Sequence, residues 1–269
     1  MKRDGHIHTP YCPHGTKDSL NKYVERAISL GYKEISFTEH APLPEGFSDP
    51  TPEQDSAMKI DALEKYLEEI EKIKLLYNNE LKINTGLEVD FIEGYESETE
   101  RFLNQYGPYL DDAILSVHFL KYKDQYDCVD YSPDGFAQII KKYGSLEEVY
   151  RNYFQTVLKS VQSDLGPFKP KRIGHITLVK KFQKKFSTPK DFSEDIFAIL
   201  CAIQRKQYEL DYNGAGFQKP LCGEPYPSND IAKEALKRGI PLVYGSDAHQ
   251  IKELGQGREK MLFKDGEFL

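Results

Sequence analysis

The side chains best suited to chemistry in this 269-residue sequence are its seven histidines, which are His6, His8, His14, His40, His118, His175 and His249. Neutral imidazole nitrogens bind first-row transition metals, usually together with carboxylate oxygens. Six of the seven follow or end a short apolar segment, and His14 lies in the stretch after the first such segment. A single histidine at such a place is usually structural, but here none is left over as surface background. The set therefore indicates a metal site.

Two pairs of polar residues have the spacing of a chelating pair. His6 and His8, in GHIH, are two residues apart, which puts both imidazoles on one side of a strand. Asp247 and His249, in GSDAH, repeat this spacing near the end of the chain. Glu88, in TGLEVDF, adds a carboxylate that could bridge two cations, as multinuclear hydrolytic sites require. Structural alternatives remain, since Asp247 could cap a following helix and Glu88 could pair with a lysine.

The elements that must position these residues alternate between strand-like and helix-like segments. The predicted strands are GHIH, KEISFTEH, LKINTGLEVDF, DDAILSVHF, RIGHITLV, YELDYN and PLVYGSDAH. The predicted helices span 20–30, 55–78, 97–105, 145–162, 191–206 and 228–238, with N-caps expected at Asp18, Ser97, Asp191 and Ser228.

This alternation predicts an α/β fold with parallel strands, either a closed barrel or an open doubly wound sheet. The barrel is favoured because five of the seven strand segments carry His, Glu or Asp at their C-terminal ends, where barrel enzymes place their chemistry. Nothing resembling a linker divides the chain, so residues 1–269 are expected to form one domain. The Tyr- and Asp-rich stretch 121–144 is predicted to be a long loop or insertion, either a lid or a surface excursion.

Composition narrows the classes of function. The formal charge of −7 and the scattered lysines and arginines give no basic stripe for a nucleic-acid backbone. No run of about 20 apolar residues could span a membrane, and MKRDGHIHTP lacks the apolar stretch of a secretory signal, so a cytoplasmic location is expected. The four cysteines have no CxxC spacing, which excludes a disulfide framework or structural zinc site, and Cys12 is interpreted as a small packed residue.

Together these motifs resemble the polymerase and histidinol phosphatase (PHP) superfamily, and in particular its histidinol-phosphate phosphatase branch. The resemblance covers nearly the whole chain, through DGHIHTPYCPHG, SFTEHAPLP, GLEVDF, LSVHF, IGHITLVKKF, ELDYNGAGFQKPLCGEPYP and YGSDAH. One H-x-H is weak, whereas seven ordered motifs are specific. The resemblance implies a distorted (βα)7 barrel and hydrolysis of L-histidinol phosphate, a step of histidine biosynthesis.

The resemblance also implies a site of two or three divalent ions, which are zinc, iron or manganese. Carried over to this sequence, the family pattern gives three groups of ligands. They are His6, His8, Glu88 and Asp247 for one ion, Glu88, His118 and His175 for a second, and His14, His40 and His249 for a third. Glu88 would bridge two ions.

The remaining roles are assigned less directly. Arg172 and Arg205 are expected to bind the substrate phosphate through the planar guanidinium fork, with Lys219 as the next candidate. Asp247 or His249, or else a bound water, is expected to protonate the leaving alkoxide. An imidazole-bearing substrate needs an aromatic or acidic pocket, for which the candidates are Tyr11, Tyr131 and Glu224.

Three other functions compete with this interpretation. A PHP-type phosphodiesterase or exonuclease would need a basic, aromatic track for a nucleic-acid strand, which the acidic balance disfavours. An amidohydrolase is expected to have a ligating Lys or Glu at the fourth strand and to lack the D-x-H pair that follows the last strand here. A metal-binding protein without activity is the alternative outside the enzymes.

Overall fold

A parallel sheet of seven strands forms the centre of the molecule, whose computed structural model describes residues 2–264 and 267–268. The strands in chain order are β1 (Arg3–Ile7), β2 (Glu34–His40), β3 (Lys82–Asp90), β4 (Asp112–Ser116), β5 (Phe119–Tyr122), β6 (Gln125–Cys128), β7 (Arg172–Ile173), β8 (Glu209–Asn213), β9 (Leu242–Gly245), β10 (Phe263–Lys264) and β11 (Glu267–Phe268). The central sheet has the order β1-β2-β3-β4-β7-β8-β9, while β5 with β6 and β10 with β11 form separate antiparallel pairs.

The two edges of this sheet come together, so the sheet closes almost into a barrel. A parallel bridge joins Ile7, at the end of β1, to Ala248, just beyond β9. The backbone N–H of His8 donates to the carbonyl of Ala248 at 3.0 Å, and the N–H of Asp247 donates to the carbonyl of His6 at 2.7 Å. The predicted (βα)7 barrel, rather than the open sheet, is therefore confirmed.

Helices cross over from each strand to the next. They are α1 (Leu20–Ser29), α2 (Ile60–Leu76), α3 (Glu96–Tyr106), α4 (Pro133–Tyr143), α5 (Leu146–Gln162), α6 (Ser193–Lys206) and α7 (Asn229–Lys237). Each buries a stripe of residues at helical spacing, as α1 does with Leu20, Tyr23, Val24 and Ala27. This stripe packs on the outer face of the sheet and completes the core.

Two segments differ from the sequence prediction. Helix α2 begins at Ile60 instead of residue 55, because 49–56 is held in a loop by side-chain hydrogen bonds to Asp49. The stretch 121–144 was expected to be a loop or insertion, but it contains most of the β5–β6 hairpin and helix α4. The Ser132 hydroxyl caps α4 by accepting from the Gly135 N–H at 3.0 Å.

The predicted N-caps were right at one position of four. Ser228 is the N-cap of α7, although its side chain makes no capping hydrogen bond. The caps of α1, α3 and α6 are Ser19, Tyr95 and Phe192. Each lies within two residues of the predicted position, and helix ends are commonly uncertain by that amount.

An ionic layer fills the barrel at the N-terminal ends of the strands. Arg172, at the start of β7, is 1% exposed, and its Nη2 donates to Asp112 Oδ2 and to the Gly5 carbonyl, both at 2.8 Å. Arg3 Nη2 donates to the same carboxylate oxygen at 2.7 Å. A Cβ on residue 5 would lie 2.6 Å from Arg172 Nη1, so glycine makes room for the guanidinium. This network stabilises the barrel at the end opposite the polar strand ends.

No helix among the described residues has both the length and the apolarity needed to cross a membrane.

Replacement of Arg172 by Met should lower the free energy of unfolding by about 3 kcal/mol, because it removes one partner from the buried Asp112 carboxylate. Urea unfolding of matched, metal-loaded samples measures this change. Arg205→Ala is the control, since Arg205 is exposed on α6 and should change stability by less than about 0.5 kcal/mol. Equal stability of the two variants would show that the ionic layer does not stabilise the barrel.

Candidate metal centre

The polar residues singled out in the sequence meet at the C-terminal end of the barrel. They come from the end of β1 (His6 and His8), the loop after it (His14), the ends of β2 and β3 (His40 and Glu88), and the segments following β4, β7 and β9 (His118, His175, Asp247 and His249). Because all seven strands are parallel, their C-terminal ends share one rim, and residues far apart in sequence become neighbours there.

Glu88 lies at the centre of this group and is 1% exposed. Its Oε2 is 3.3 Å from His6 Nε2, 3.6 Å from His8 Nε2 and 3.1 Å from His40 Nδ1. These imidazole nitrogens are buried and have no hydrogen-bond partner. One carboxylate oxygen therefore faces three imidazoles from two neighbouring strands.

The other oxygen of Glu88 faces the opposite side of the barrel. Oε1 is 2.8 Å from His175 Nε2 and 3.8 Å from His118 Nε2. The Ser116 hydroxyl donates to the same oxygen at 2.6 Å, which fixes the orientation of the carboxylate. Glu88 thus separates two groups of imidazoles and contacts both, as a bridging ligand would.

Asp247 and His249 close the group from the last strand. Asp247 Oδ1 is 3.1 Å from His8 Nε2 and 3.8 Å from His6 Nε2. The backbone of Asp247 has φ of 52°, a left-handed conformation that few residues other than glycine tolerate. This turn lets Asp247 and His249 both face the centre, where His249 Nε2 lies 3.2 Å from His14 Nε2.

The donor atoms fit divalent metal ions. Three sets have their ligand atoms within 4.8 Å of one another, and these are His6, His8 and Asp247, then Glu88, His118 and His175, and finally His8, Cys12, His40 and His249. Buried imidazole nitrogens without hydrogen bonds would be costly in a permanently metal-free protein. Imidazole and carboxylate donors together suit zinc, iron and manganese. We conclude that this cluster binds divalent metal.

The third set differs from the one that the sequence resemblance implies. His14 is exposed, and its Nδ1 lies 2.9 Å from the Asp55 carbonyl, so its Nε2 is turned towards His249. Cys12 is buried beside the other three members, and burial raises the pKa of its thiol. The interpretation of Cys12 as a small packed residue agrees with its complete burial.

The carboxylates and imidazoles of the cluster shift one another's pKa values. Burial alone would raise the pKa of Glu88, but the imidazoles of His6 and His118 hold it well below its usual range. Burial would lower the pKa of His8, whereas the adjacent carboxylates of Asp247 and Glu39 raise it to about 9. Such a group of carboxylates needs compensating positive charge, which either protons or metal ions can supply.

Several residues that sequence reasoning missed orient the imidazoles through their second ring nitrogen. His6 Nδ1 is 3.1 Å from Asp211 Oδ2, and His118 Nδ1 is 2.8 Å from Asp90 Oδ1. Such partners fix the tautomer and ring orientation of a metal ligand. Asp90 lies two residues after Glu88 in β3, so period-two spacing could have identified it.

Glu39 does the same for His8. Its Oε1 is 3.2 Å from His8 Nδ1 and accepts the His40 N–H at 3.0 Å, while Oε2 accepts the Thr9 N–H at 2.8 Å. This carboxylate is fully buried and directly precedes His40 in the chain. It therefore ties the loop after β1 to the end of β2.

A cavity of about 410 Å³ opens above the cluster. The side chains that line it besides the metal-ligand candidates include Asp55, Asp130, Tyr131, Lys181, Lys219 and Tyr226. Tyr131, proposed from the sequence for the imidazole of the substrate, is on this wall. Tyr11 packs against Tyr66 instead, and Glu224 pairs with Lys180.

Neither arginine proposed for phosphate binding reaches this cavity. Arg172 is buried in the ionic layer, because it lies at the N-terminal end of β7 rather than at the end that carries His175. Arg205 is exposed near the C-terminus of α6, which leads into the start of β8 and so lies at the other end of the barrel. The cationic side chains among the described cavity residues are Lys181 and Lys219.

Comparisons with known proteins agree with this geometry. The PHP domain family matches residues 4–215. The chain is 49% identical over 266 residues to the histidinol-phosphatase of Bacillus subtilis, covering 97% of this chain and 98% of that protein. A Listeria monocytogenes structure assigned as a histidinol phosphatase superposes with a TM-score of 0.92 at 41% identity, covering 96% of this chain and 99% of that one.

A histidinol phosphate phosphatase from Lactococcus lactis, complexed with zinc, L-histidinol and phosphate, is more distant. It superposes with a TM-score of 0.70 at 23% identity, covering 100% of this chain and 94% of that one. At this identity the likeness shows the common fold.

Replacement of Glu39 by Gln should weaken metal binding by about 10- to 100-fold, because His8 loses the carboxylate that orients it. Competition with a chromophoric chelator, using zinc or manganese, measures the affinity. Glu34→Gln is the matched control, since Glu34 is a nearly buried glutamate at the opposite end of the same strand. Wild-type affinity in a folded Glu39→Gln protein would refute the positioning role.

Proposed function

The chain belongs to the PHP domain family, and on that premise we propose that it is a metal-dependent phosphatase that hydrolyses L-histidinol phosphate to L-histidinol and phosphate. The observation that carries the proposal is the buried cluster around Glu88, whose two oxygens face two separate groups of imidazoles. Identity of 49% to a histidinol-phosphatase over almost the full length supports the choice of substrate.

We propose that nine residues hold two or three divalent ions. These are His6, His8, Glu88 and Asp247 for one ion, Glu88, His118 and His175 for the second, and His14, His40 and His249 for the third. Bound cations supply positive charge beside the phosphoryl oxygens, which offsets the negative charge that hinders hydrolysis of a phosphate monoester. Zinc in the Lactococcus lactis complex supports zinc, and the same donors also accept iron and manganese.

The residues of the chain itself would orient the substrate and exclude water. Since the two arginines lie elsewhere, we assign the phosphate contact outside the metal cluster to Lys219. Lys181 is less available, because its Nζ donates to Asp130 Oδ2 at 2.9 Å. A lysine binds phosphate as a point charge, without the two-oxygen geometry of arginine.

Proton transfer to the leaving oxygen is assigned to Asp247 or His249, or to a bound water beside them, because neither side chain has a proton to donate while it is a metal ligand. Both line the cavity, and both follow β9 at its C-terminal end. An alkyl alkoxide is a poor leaving group. A proton delivered to its oxygen therefore lowers the activation barrier for the departure of L-histidinol. The Asn213 amide donates to Asp247 Oδ2 at 3.2 Å and so fixes the direction of that carboxylate.

Purified enzyme should release phosphate from L-histidinol phosphate with a kcat/KM about 100-fold or more above that for a phosphodiester such as a dinucleotide. The reason is that the second ester group of a diester occupies an oxygen that is anionic in a monoester and would contact the cations of the site. A panel of monoesters and diesters, assayed for released product, measures this ratio. Glu88→Gln serves as the control for contaminating phosphatases, since it removes the shared ligand. Comparable kcat/KM for a dinucleotide would favour the phosphodiesterase alternative.

A further inference from the structure

Most charged side chains on the cavity wall already have partners. Asp90 binds His118 at 2.8 Å, and Asp130 accepts from Lys181 at 2.9 Å. Glu253 accepts the backbone N–H of His249 at 2.9 Å. These groups hold the wall and its ligands in place, so a substrate could bind them only by displacing an existing contact.

Two charged groups on the wall lack a polar partner among the described residues. Among the residues that the structure describes, neither the carboxylate of Asp55 nor the ammonium of Lys219 makes a hydrogen bond or ion pair, yet both line the cavity. Asp55 is in the connection after β2, and Lys219 is in the connection after β8. Two different loops therefore bring a carboxylate and an ammonium group to the same cavity.

The backbone that carries Asp55 is rigidly held. Asp49 Oδ1 accepts the N–H of Thr51 at 2.9 Å, and Asp49 Oδ2 accepts the N–H of Ser56 at 3.0 Å. The hydroxyls of Thr51 and Ser56 also donate to Asp49 Oδ1, at 2.8 and 3.1 Å. The Asp55 carbonyl itself lies 2.9 Å from His14 Nδ1. The loop is thus fixed on both sides of Asp55, while its half-buried carboxylate is left free for a ligand.

A substrate with an ammonium group beside its phosphate needs both charges. Metal ions and Lys219 attract the phosphate, but the same positive charges repel an ammonium that must enter with it. A carboxylate on the cavity wall offsets this repulsion and attracts the ammonium. The same arrangement gives no advantage to a phosphate monoester that lacks the ammonium.

We propose that Asp55 is the specificity residue that binds the ammonium group of the substrate, while Lys219 binds the phosphate. The site therefore selects phosphate monoesters that carry an ammonium group next to the ester. This inference rests on the proposed phosphatase activity and adds the means by which the site recognises the amino-alcohol part of its substrate.

The test compares two substrates in three proteins. The substrates are L-histidinol phosphate and 3-(imidazol-4-yl)propyl phosphate, which differs by lacking the amine. Asp55→Asn should lower kcat/KM for L-histidinol phosphate by about 10- to 100-fold, mainly through KM, and that for the analogue by less than about threefold. Glu53→Gln is the matched control, because Glu53 is an exposed acid on the same loop that does not line the cavity.

Product inhibition distinguishes binding of the ammonium by Asp55 from a purely structural role of this residue. Asp55→Asn should weaken inhibition by L-histidinol, leave inhibition by inorganic phosphate within about threefold of wild type, and keep the metal content of the wild type. Lys219→Met should instead lower kcat/KM for both substrates and weaken inhibition by phosphate.

The outcomes separate the inference from the proposed function. A wild-type protein that hydrolyses neither substrate would refute the phosphatase proposal and the inference with it. If the wild type prefers L-histidinol phosphate but Asp55→Asn keeps that preference, the proposed function stands and the role of Asp55 is refuted. Equal losses of both substrates in Asp55→Asn would likewise overturn selective binding of the ammonium.

Discussion

A carboxylate buried among imidazoles is the constraint on which the rest of this structure depends. Glu88 is almost fully buried, and each of its oxygens faces a different group of histidines. Burial of so many titratable groups is favourable only when opposite charges and hydrogen bonds compensate it. Divalent cations provide that compensation at the centre, while Asp90, Asp211 and Glu39 provide it around the edge.

The barrel separates two kinds of charged group. At the N-terminal ends of the strands, Arg172 and Arg3 both donate to the carboxylate of Asp112. At the C-terminal ends, carboxylates and imidazoles converge without lysine or arginine among the cluster. Parallel strands make this division possible, because all their N-terminal ends lie at one end of the barrel and all their C-terminal ends at the other. The same chain can therefore build a closed, stabilising layer and an open, reactive one.

Sequence reasoning predicted the barrel and the meeting of the histidines, because apolar strand segments ending in His, Glu or Asp define one rim. It failed for Arg172, since closeness to His175 in sequence does not tell which end of a strand a residue occupies. It missed α4 although Ser132 and Pro133 form a recognisable helix start. It placed Asp55 in a helix, because the hydrogen bonds from Asp49 that keep 49–56 in a loop depend on local geometry that helical periodicity does not record.

The ion arrangement around Glu88 is tested most directly by anomalous X-ray diffraction from crystals grown with manganese, with data collected above and below the manganese absorption edge. Our account predicts two or three anomalous peaks at the C-terminal end of the barrel, of which two share the Glu88 carboxylate. Crystals with no peak beside Glu88, or with a single ion that touches neither of its oxygens, would contradict the central role of this residue.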